Sequence, residues 1–263
     1  MPDAPHRDFV ALLAGFPAVS LAEMDGVRLM NRTDTKYVTD ESVLAAVLAD
    51  AREAGYRVLE VEGERISAYD SLYFDTGELK MFTDHRNKRV PRQKVRTRLY
   101  ISSGTAFLEV KRKRNNGRTK KKRTAVPAAS FPDFRTDPAA CRFLAEKSAY
   151  TADCLSPSLE TVFRRITLVN PAMTERLTID TCLAFANPRT GRAASLGRGV
   201  VIELKQDGRA ASAMKRILLD RRVKPLRMSK YCVGVTLTDP AARANRFKLK
   251  IRTIEKTIQD KLW

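Results

Sequence analysis

The feature that most restricts how this chain can fold is a charge alternation repeated in separate segments. In RQKVRTRLY (92–100), Lys94, Arg96 and Arg98 alternate with Val95 and Thr97. A strand turns successive side chains to opposite faces, so these three cations would stand in one row. In NRTDTKYV one parity carries Arg32, Asp34 and Lys36, and in FLEVKRK Glu109, Lys111 and Lys113 oppose Leu108 and Val110. FRRITL places Arg165 on one parity and Arg164, Ile166 and Leu168 on the other. ERLTIDT sets Arg176, Thr178 and Asp180 against Leu177 and Ile179, and VIELKQ sets Glu203 and Lys205 against Ile202 and Leu204.

For a single strand, a charged face in water accounts for the pattern. Across the set, neutral polar residues are scarce and Arg is prominent, which favours a different arrangement. The sheet would close into a barrel, charges inward and aliphatic face outward beneath helices. Such an interior needs a polyanion, a metal ion or both to balance it. Arg suits bidentate phosphate contacts. Carboxylates scattered among the cations would hold Mg²⁺ or Mn²⁺, which take oxygen ligands and bridge phosphates.

The rest of the sequence fits an α+β domain dominated by antiparallel hairpins. DESVLAAVLADAREAGY (40–56) predicts an amphipathic helix with Asp40 as N-cap, a stripe of Val43, Leu44, Val47 and Leu48, and Gly55 at its stop. SAYDSLYFDT (67–76) reads as a strand. RQKVRTRLYI and AFLEVKRK flank SSGT as one hairpin, TVFRRITLVN and ERLTIDTCLAF flank Pro171 as another, and GVVIELKQ adds a strand. FVALLAGFPAVSLA (9–22) predicts an opening helix; Asp3, Asp8 and Pro17 argue against a secretory leader, and the run is too short to span a membrane. FPDFRTDPAACRFLAEKSAY (131–150) predicts a helical insertion, with further helices at about 209–222, 228–236 and 240–259. One domain is expected over 1–263, with its core at about 20–237 and a basic terminal helix in 240–263.

Lys and Arg number 49 against 30 Asp and Glu, a formal net charge of +19. That field attracts nucleic acid, polyphosphate, nucleotides or an anionic membrane surface. Cys141, Cys154, Cys182 and Cys232 form no C-x-x-C pair and have only His6 and His85 to assist them. A zinc site and Ser-His or Cys-His nucleophilic chemistry are therefore disfavoured. Reduced thiols in a cytosolic protein are expected.

The ordered motifs LMNRTDTKY, YDSLYFDT, KVRTRLY, FLEVKRK, FRRITL, RLTIDT, VIELK and RMSKY resemble the VTC-type polyphosphate polymerase domain of the triphosphate tunnel metalloenzyme (CYTH-like) superfamily. The resemblance covers roughly residues 20–237. It implies an antiparallel β-barrel tunnel with a charged interior, flanked by helices, that binds ATP and a growing polyphosphate chain with Mn²⁺ or Mg²⁺. It implies catalytic roles for Lys36, Arg96, Arg98, Lys111, Arg165, Arg176, Lys205 and Lys230. Arg32, Lys94, Lys113 and Ser229 are expected to touch substrate, and Glu203, Glu109 and Asp180 to hold metal. Phe163 stands where the family usually has tyrosine. Hydrolytic relatives open with E-x-E-x-K, whereas here the first acidic position is Arg32, followed by Asp34 and Lys36. Exchanging a carboxylate for a cation weakens binding of a second metal and of activated water, and strengthens binding of phosphate.

KRKRNNGRTKKKR (111–123) reads either as a solvated hairpin or loop or as an electrostatic funnel at the tunnel mouth. It could also bind nucleic acid, though it lacks aromatic residues for base stacking. Three functions stay open at this point: a polyphosphate polymerase, a triphosphate or tripolyphosphate hydrolase, and a non-catalytic polyphosphate- or RNA-binding module. A cytoplasmic location is expected, with no transmembrane segment; peripheral association with the inner face of a membrane, or a membrane partner, is left open.

Overall fold

The structure, a computed structural model, describes residues 4–25, 32–208 and 211–262. It begins with α1 (Ala4–Ala14), β1 (Ala18–Val19), α2 (Leu21–Asp25), β2 (Arg32–Asp40), α3 (Glu41–Glu53) and β3 (Arg57–Leu59). The middle holds β4 (Ser67–Asp75), α4 (Lys80–Arg86), β5 (Arg92–Tyr100), β6 (Thr105–Lys113), β7 (Thr119–Val126) and α5 (Pro138–Lys147). The last part holds β8 (Ser156–Val169), β9 (Glu175–Ala186), β10 (Ala193–Ser195), β11 (Gly199–Asp207), α6 (Ala213–Asp220), α7 (Lys230–Thr238) and α8 (Lys248–Ile258).

The main path of the sheet runs β2-β11-β9-β8-β4-β5-β6-β7, and every pairing along it is antiparallel. This path cannot be flat. The backbone N–H of Leu226 donates to the Lys36 carbonyl on β2, and Lys94 on β5 donates to the Ser229 hydroxyl. Three residues of chain reach roughly 10 Å. In a flat sheet β2 and β5, five steps apart, would lie about 24 Å from each other. The sheet therefore curls into a trough. Among the described residues no ladder joins β7 to β2, so side chains and the 226–229 segment, rather than backbone hydrogen bonds, bring the two sides together.

The aliphatic parities point outward. Ile166, Leu168, Leu177, Ile179, Ile202 and Leu204 pack beneath α1, α3 and α6, and Leu72, Val95, Leu108 and Val110 pack beneath α5. Full burial of each such side chain contributes roughly 1.5–3 kcal/mol. The Asp40 carboxylate accepts from the Ser42 and Val43 amides and caps α3, as the sequence predicts.

One end of the concave face changes from ionic to apolar. Val38, Leu159, Phe163, Leu183, Phe185 and Val201 pack there against α7 and α8. Residues Tyr231–Thr238 of α7 are all buried, because YCVGVTLT is apolar or small on every side. Thr236 and Thr238 return their hydroxyls to the carbonyls of Cys232 and Gly234, which hides these polar groups. The helix fills the trough like a stopper.

Three expectations are refined. The run 9–22 divides into α1, β1 and α2, with Pro17 in the break. The region 131–150 holds a 3-10 turn (Phe134–Thr136) before α5 begins at Pro138. The basic run 111–123 ends in a real strand, β7, and so forms a hairpin with β6. The terminal helix α8 packs against β2 and β11, and its Ile251, Ile254 and Ile258 join the same apolar cluster. No helix among the described residues is long and apolar enough to cross a membrane.

Candidate active site

Strand register builds the ionic face. It sets Lys36 opposite Glu203, Arg165 opposite Asp180, and Arg96 opposite Glu109. Each directly opposed pair on one face brings its side chains within reach. Lys36 Nζ lies 2.5 Å from Glu203 Oε1, and Lys205 Nζ lies 3.0 Å from Oε2. Arg165 donates to Asp180 through Nε at 2.6 Å and Nη2 at 2.9 Å, while Lys230 Nζ lies 2.8 Å from Oδ2. Arg96 donates to Glu109 Oε2 through Nε at 2.8 Å and Nη2 at 2.5 Å, while Lys121 takes Oε1 at 2.8 Å. Each carboxylate is shared by two cations, so each station keeps a surplus positive charge.

Glu109 and Asp180 are 2% and 4% exposed, so only pairing makes their ionisation tolerable. Burial alone would raise these carboxyls. The cations outweigh it: Arg96, Arg98 and Lys121 at Glu109, Arg165 and Lys230 at Asp180, Lys205 and Lys36 at Glu203. All three are held well below the usual carboxylate range.

Arg98 is 6% exposed and lies among these stations. Its Nε donates to the Ser71 hydroxyl at 3.0 Å, and no ion pair to a carboxylate forms there among the described residues. Its guanidinium lies over Tyr69 and Phe163, 5.3 and 5.7 Å from the ring centroids. Arg165 lies over the same two rings at 5.1 and 5.2 Å, and Lys230 Nζ is 2.9 Å from the Phe163 centroid. Tyr69 and Phe163 are stacked 5.3 Å apart and form an aromatic floor for three cations. Burial, then the neighbouring Arg96, pushes Arg98 down to about 10. A cation destabilised in this way gains most from an incoming anion.

The N-terminus of α7 points into the same space. Ser229 caps the helix by accepting from the Cys232 amide at 3.3 Å, and its hydroxyl also accepts from Lys94 Nζ at 2.7 Å. Lys230 follows, with its ammonium at the Asp180 station, held below its usual value by burial. Lys111 keeps contact with water but lies in the field of Lys94, Lys36 and Arg96. Loss of solvation, then those cations, pushes its ammonium down to about 8, against the pull of Glu203.

Arg176 shares this face, opposite Lys205 in register, and Lys113 stands at its hairpin end, opposite Arg92. The backbone of Arg32 pairs with Asp207, but its side chain lies outside the described residues. The structure thus brings Lys36, Lys94, Arg96, Arg98, Lys111, Arg165, Arg176, Lys205, Ser229 and Lys230 to one concave surface. It does not bring Glu203, Glu109 and Asp180 together: among the described residues no three His, Cys, Asp or Glu converge as a metal cage. Glu109 and Asp180 are fully engaged by cations. Glu203 is paired as well, with Lys36 and Lys205, but 17% of its side chain is exposed, so of the three it is the carboxylate that Mg²⁺ or Mn²⁺ carried by substrate phosphates can reach.

Four contributors are not among the expected site residues, although three of them lie within the YDSLYFDT motif. Lys121 belongs to the basic run, yet counting register across the 114–118 turn puts it on the concave face, beside Glu109. Tyr73 accepts from Arg96 Nη1 at 2.9 Å, and Ser71 accepts from Arg98. Tyr69 floors the site. The β4 residues carry no charge pattern, and only pairing of β4 with β5 and β8 reveals them. A bulge at Cys182 (φ +51) has no sequence signal either. It resets the parity of β9 so that Asp180 and Leu183 both face inward.

A curled antiparallel sheet with this cationic inner wall is a triphosphate-tunnel fold. Over residues 31–238 the chain matches the family described as "VTC domain", and it belongs to that family. Among solved structures it is similar to a Hippeastrum protein described as revealing a dominant triphosphatase activity, with 13% identity and TM-score 0.50 over 81% of this chain and 99% of that one. A Pyrococcus horikoshii protein aligns at 13% identity and TM-score 0.43, covering 76% of this chain and 95% of its own. No curated protein matches the sequence.

Proposed function

We propose that this protein is a polyphosphate polymerase that transfers the γ-phosphate of ATP to a growing polyphosphate chain. The observation that carries the reading is the ionic wall: each buried carboxylate is shared by two cations, and Arg98 sits among them on an aromatic floor. Such a surface is complementary to a closely spaced row of phosphates. Arg96, Arg98, Arg165, Lys205 and Lys230 would bind phosphate oxygens and neutralise the charge that develops on them. Lys36, Lys111 and Arg176 would align the polymer end and the triphosphate. A terminal polymer oxygen attacks the γ-phosphorus in line, the bond to the β,γ-bridging oxygen breaks, and ADP departs with that electron pair. No protein nucleophile is required. Glu203 with phosphate oxygens would hold Mn²⁺ or Mg²⁺, which would supply charge neutralisation on the phosphates.

A second reading, triphosphate hydrolysis, draws support from the activity named for the Hippeastrum protein. Arg32 in place of an acidic residue weighs against it. Purified protein is incubated with ATP and Mn²⁺, and ADP, free phosphate and long polymer are followed. ADP together with polymer supports the polymerase. Free phosphate without polymer supports the hydrolase. Polyanion binding with no turnover supports a binding module.

A further inference from the structure

Register splits the basic run 111–123 into two rows. On the concave side Lys111 opposes Lys121, and Glu109 opposes Arg123. On the other side Arg112 opposes Lys120, and Val110 opposes Lys122. The β5 partner of Arg112 is Gln93, whose side chain accepts from Ser148 and Ala149 just beyond α5. The second row therefore faces outward, away from the trough. Arg112, Lys120 and Lys122 are exposed, and among the described residues Lys121 is the cation of the run with a carboxylate partner. An open cavity of about 340 Å³ lies beside this row, lined by Pro91, Arg112, Arg114, Asn115 and Asn116. It offers two guanidinium and two amide side chains. β7 is also the last strand of the path, so its outer edge adds backbone donors that no further strand among the described residues takes.

We propose that the outer face of the β6–β7 hairpin is a second polyphosphate-binding surface, which holds a distal stretch of the chain whose end lies in the trough. The identity of the polymer rests on the function proposed above; the existence of the surface does not. Lys113, Arg114 and Arg118 join the two rows around the tip, so an anionic chain leaving the trough meets cations without a gap. Along a strand, same-face residues recur about every 6.6–6.8 Å, and neighbouring strands lie about 4.8 Å apart. This ladder of charge suits a flexible linear polyanion charged at every repeat. Residues 111–123 contain no aromatic ring, so nucleic-acid bases find nothing to stack on. Val90, 45% exposed, is the exposed large aliphatic side chain next to the cavity's Pro91, too little apolar surface to insert into a bilayer. Two linked sites raise the affinity of a chain long enough to reach both, through effective concentration. A tripolyphosphate reaches the trough alone.

The test compares the full chain with its Arg112→Ser/Lys120→Ser/Lys122→Ser variant, after equal melting temperatures show that both are folded. Calorimetry measures tripolyphosphate and long-chain polyphosphate at several salt concentrations, with poly(U) and phosphatidylserine vesicles in parallel. The expected result is unchanged tripolyphosphate affinity, a loss of about tenfold or more for the long chain, and a salt slope smaller by about 2–3. Unchanged long-chain affinity and slope overturns the proposal. So does an equal loss for both phosphates, or a loss confined to poly(U) or vesicles. Wild-type protein that binds the long chain but not tripolyphosphate, with the variant losing the former, overturns the trough reading and sustains the outer surface. Wild-type protein that binds neither overturns both.

Discussion

Arg165 grips Asp180 with two parallel hydrogen bonds at 2.6 and 2.9 Å, and Lys230 approaches the same carboxylate from the stopper helix at 2.8 Å. The carboxylate thus ties β8, β9 and α7 together. Asp180→Asn would leave two buried cations facing each other over the Phe163 ring. Breaking a buried ion pair in this way costs about 3–5 kcal/mol, and urea denaturation should show a loss of that order. Tripolyphosphate, by replacing the missing negative charge, should raise the variant's melting temperature more than that of the wild type. Equal ligand-induced shifts would sink this account of the station.

Lys111 predicts opposite pH trends for stability and for binding. Its folded-state pKa, about 8, lies below the ordinary 10.5. Between these values the unfolded chain holds a proton that the folded chain lacks, so the Lys111 contribution to stability rises with pH across that window. Phosphate binding needs the charged ammonium, so affinity should fall over the same range, and binding near pH 8.5 should take up protons. Lys94 and Lys205 are lowered too and add to both trends. Calorimetry in buffers of different ionisation enthalpy reads the uptake. Lys111→Arg, charged throughout, should reduce it; the same uptake in that variant contradicts the assignment.

Gly234 lies inside the stopper helix, remote in sequence from every strand of the ionic wall. A Cβ there would collide with Leu159 Cδ2 and come within 2.6 Å of Phe185 Cδ1. Overpacking of this kind costs about 1–3 kcal/mol. Gly234→Ala should lower the melting temperature and displace α7, carrying Ser229 and Lys230 out of position. Tripolyphosphate should bind it more weakly than wild type, although no residue of the ionic wall has changed. A fully retained affinity would show that the helix does not position the site.

Glu203 separates metal from phosphate binding. Glu203→Gln should abolish turnover of ATP with Mn²⁺ while still binding tripolyphosphate, because Lys36 and Lys205 are freed from their carboxylate. Chelation of divalent metal should have the same split effect on the wild type: turnover lost, tripolyphosphate binding kept. Normal turnover in the variant would remove Glu203 from the metal site.

That the charges of each strand share one face was legible because each strand declares it locally; that this face turns inward was suggested only by the strands taken together. Ile202 and Leu204 against Glu203 and Lys205 can satisfy water and core in only one orientation each. The cross-strand partners were less legible. That Glu109 serves Arg96 and Lys121 together depends on the register of two hairpins. Asp180 and Glu109 looked like metal ligands in isolation, since a carboxylate among cations has the right chemistry. Their burial and double pairing became visible only once the strands were side by side.

By itself, the sequence determined the α+β class, the strands of the wall and which face of each is ionic, because period-two patterning is a property of neighbouring residues. Tertiary structure decided that α7 stops the trough, that Tyr69 and Phe163 floor three cations, and that the basic run has two faces. Those outcomes depend on contacts between segments far apart in the chain. The cost of burying a charge is set by what lies across the gap, which no single segment encodes.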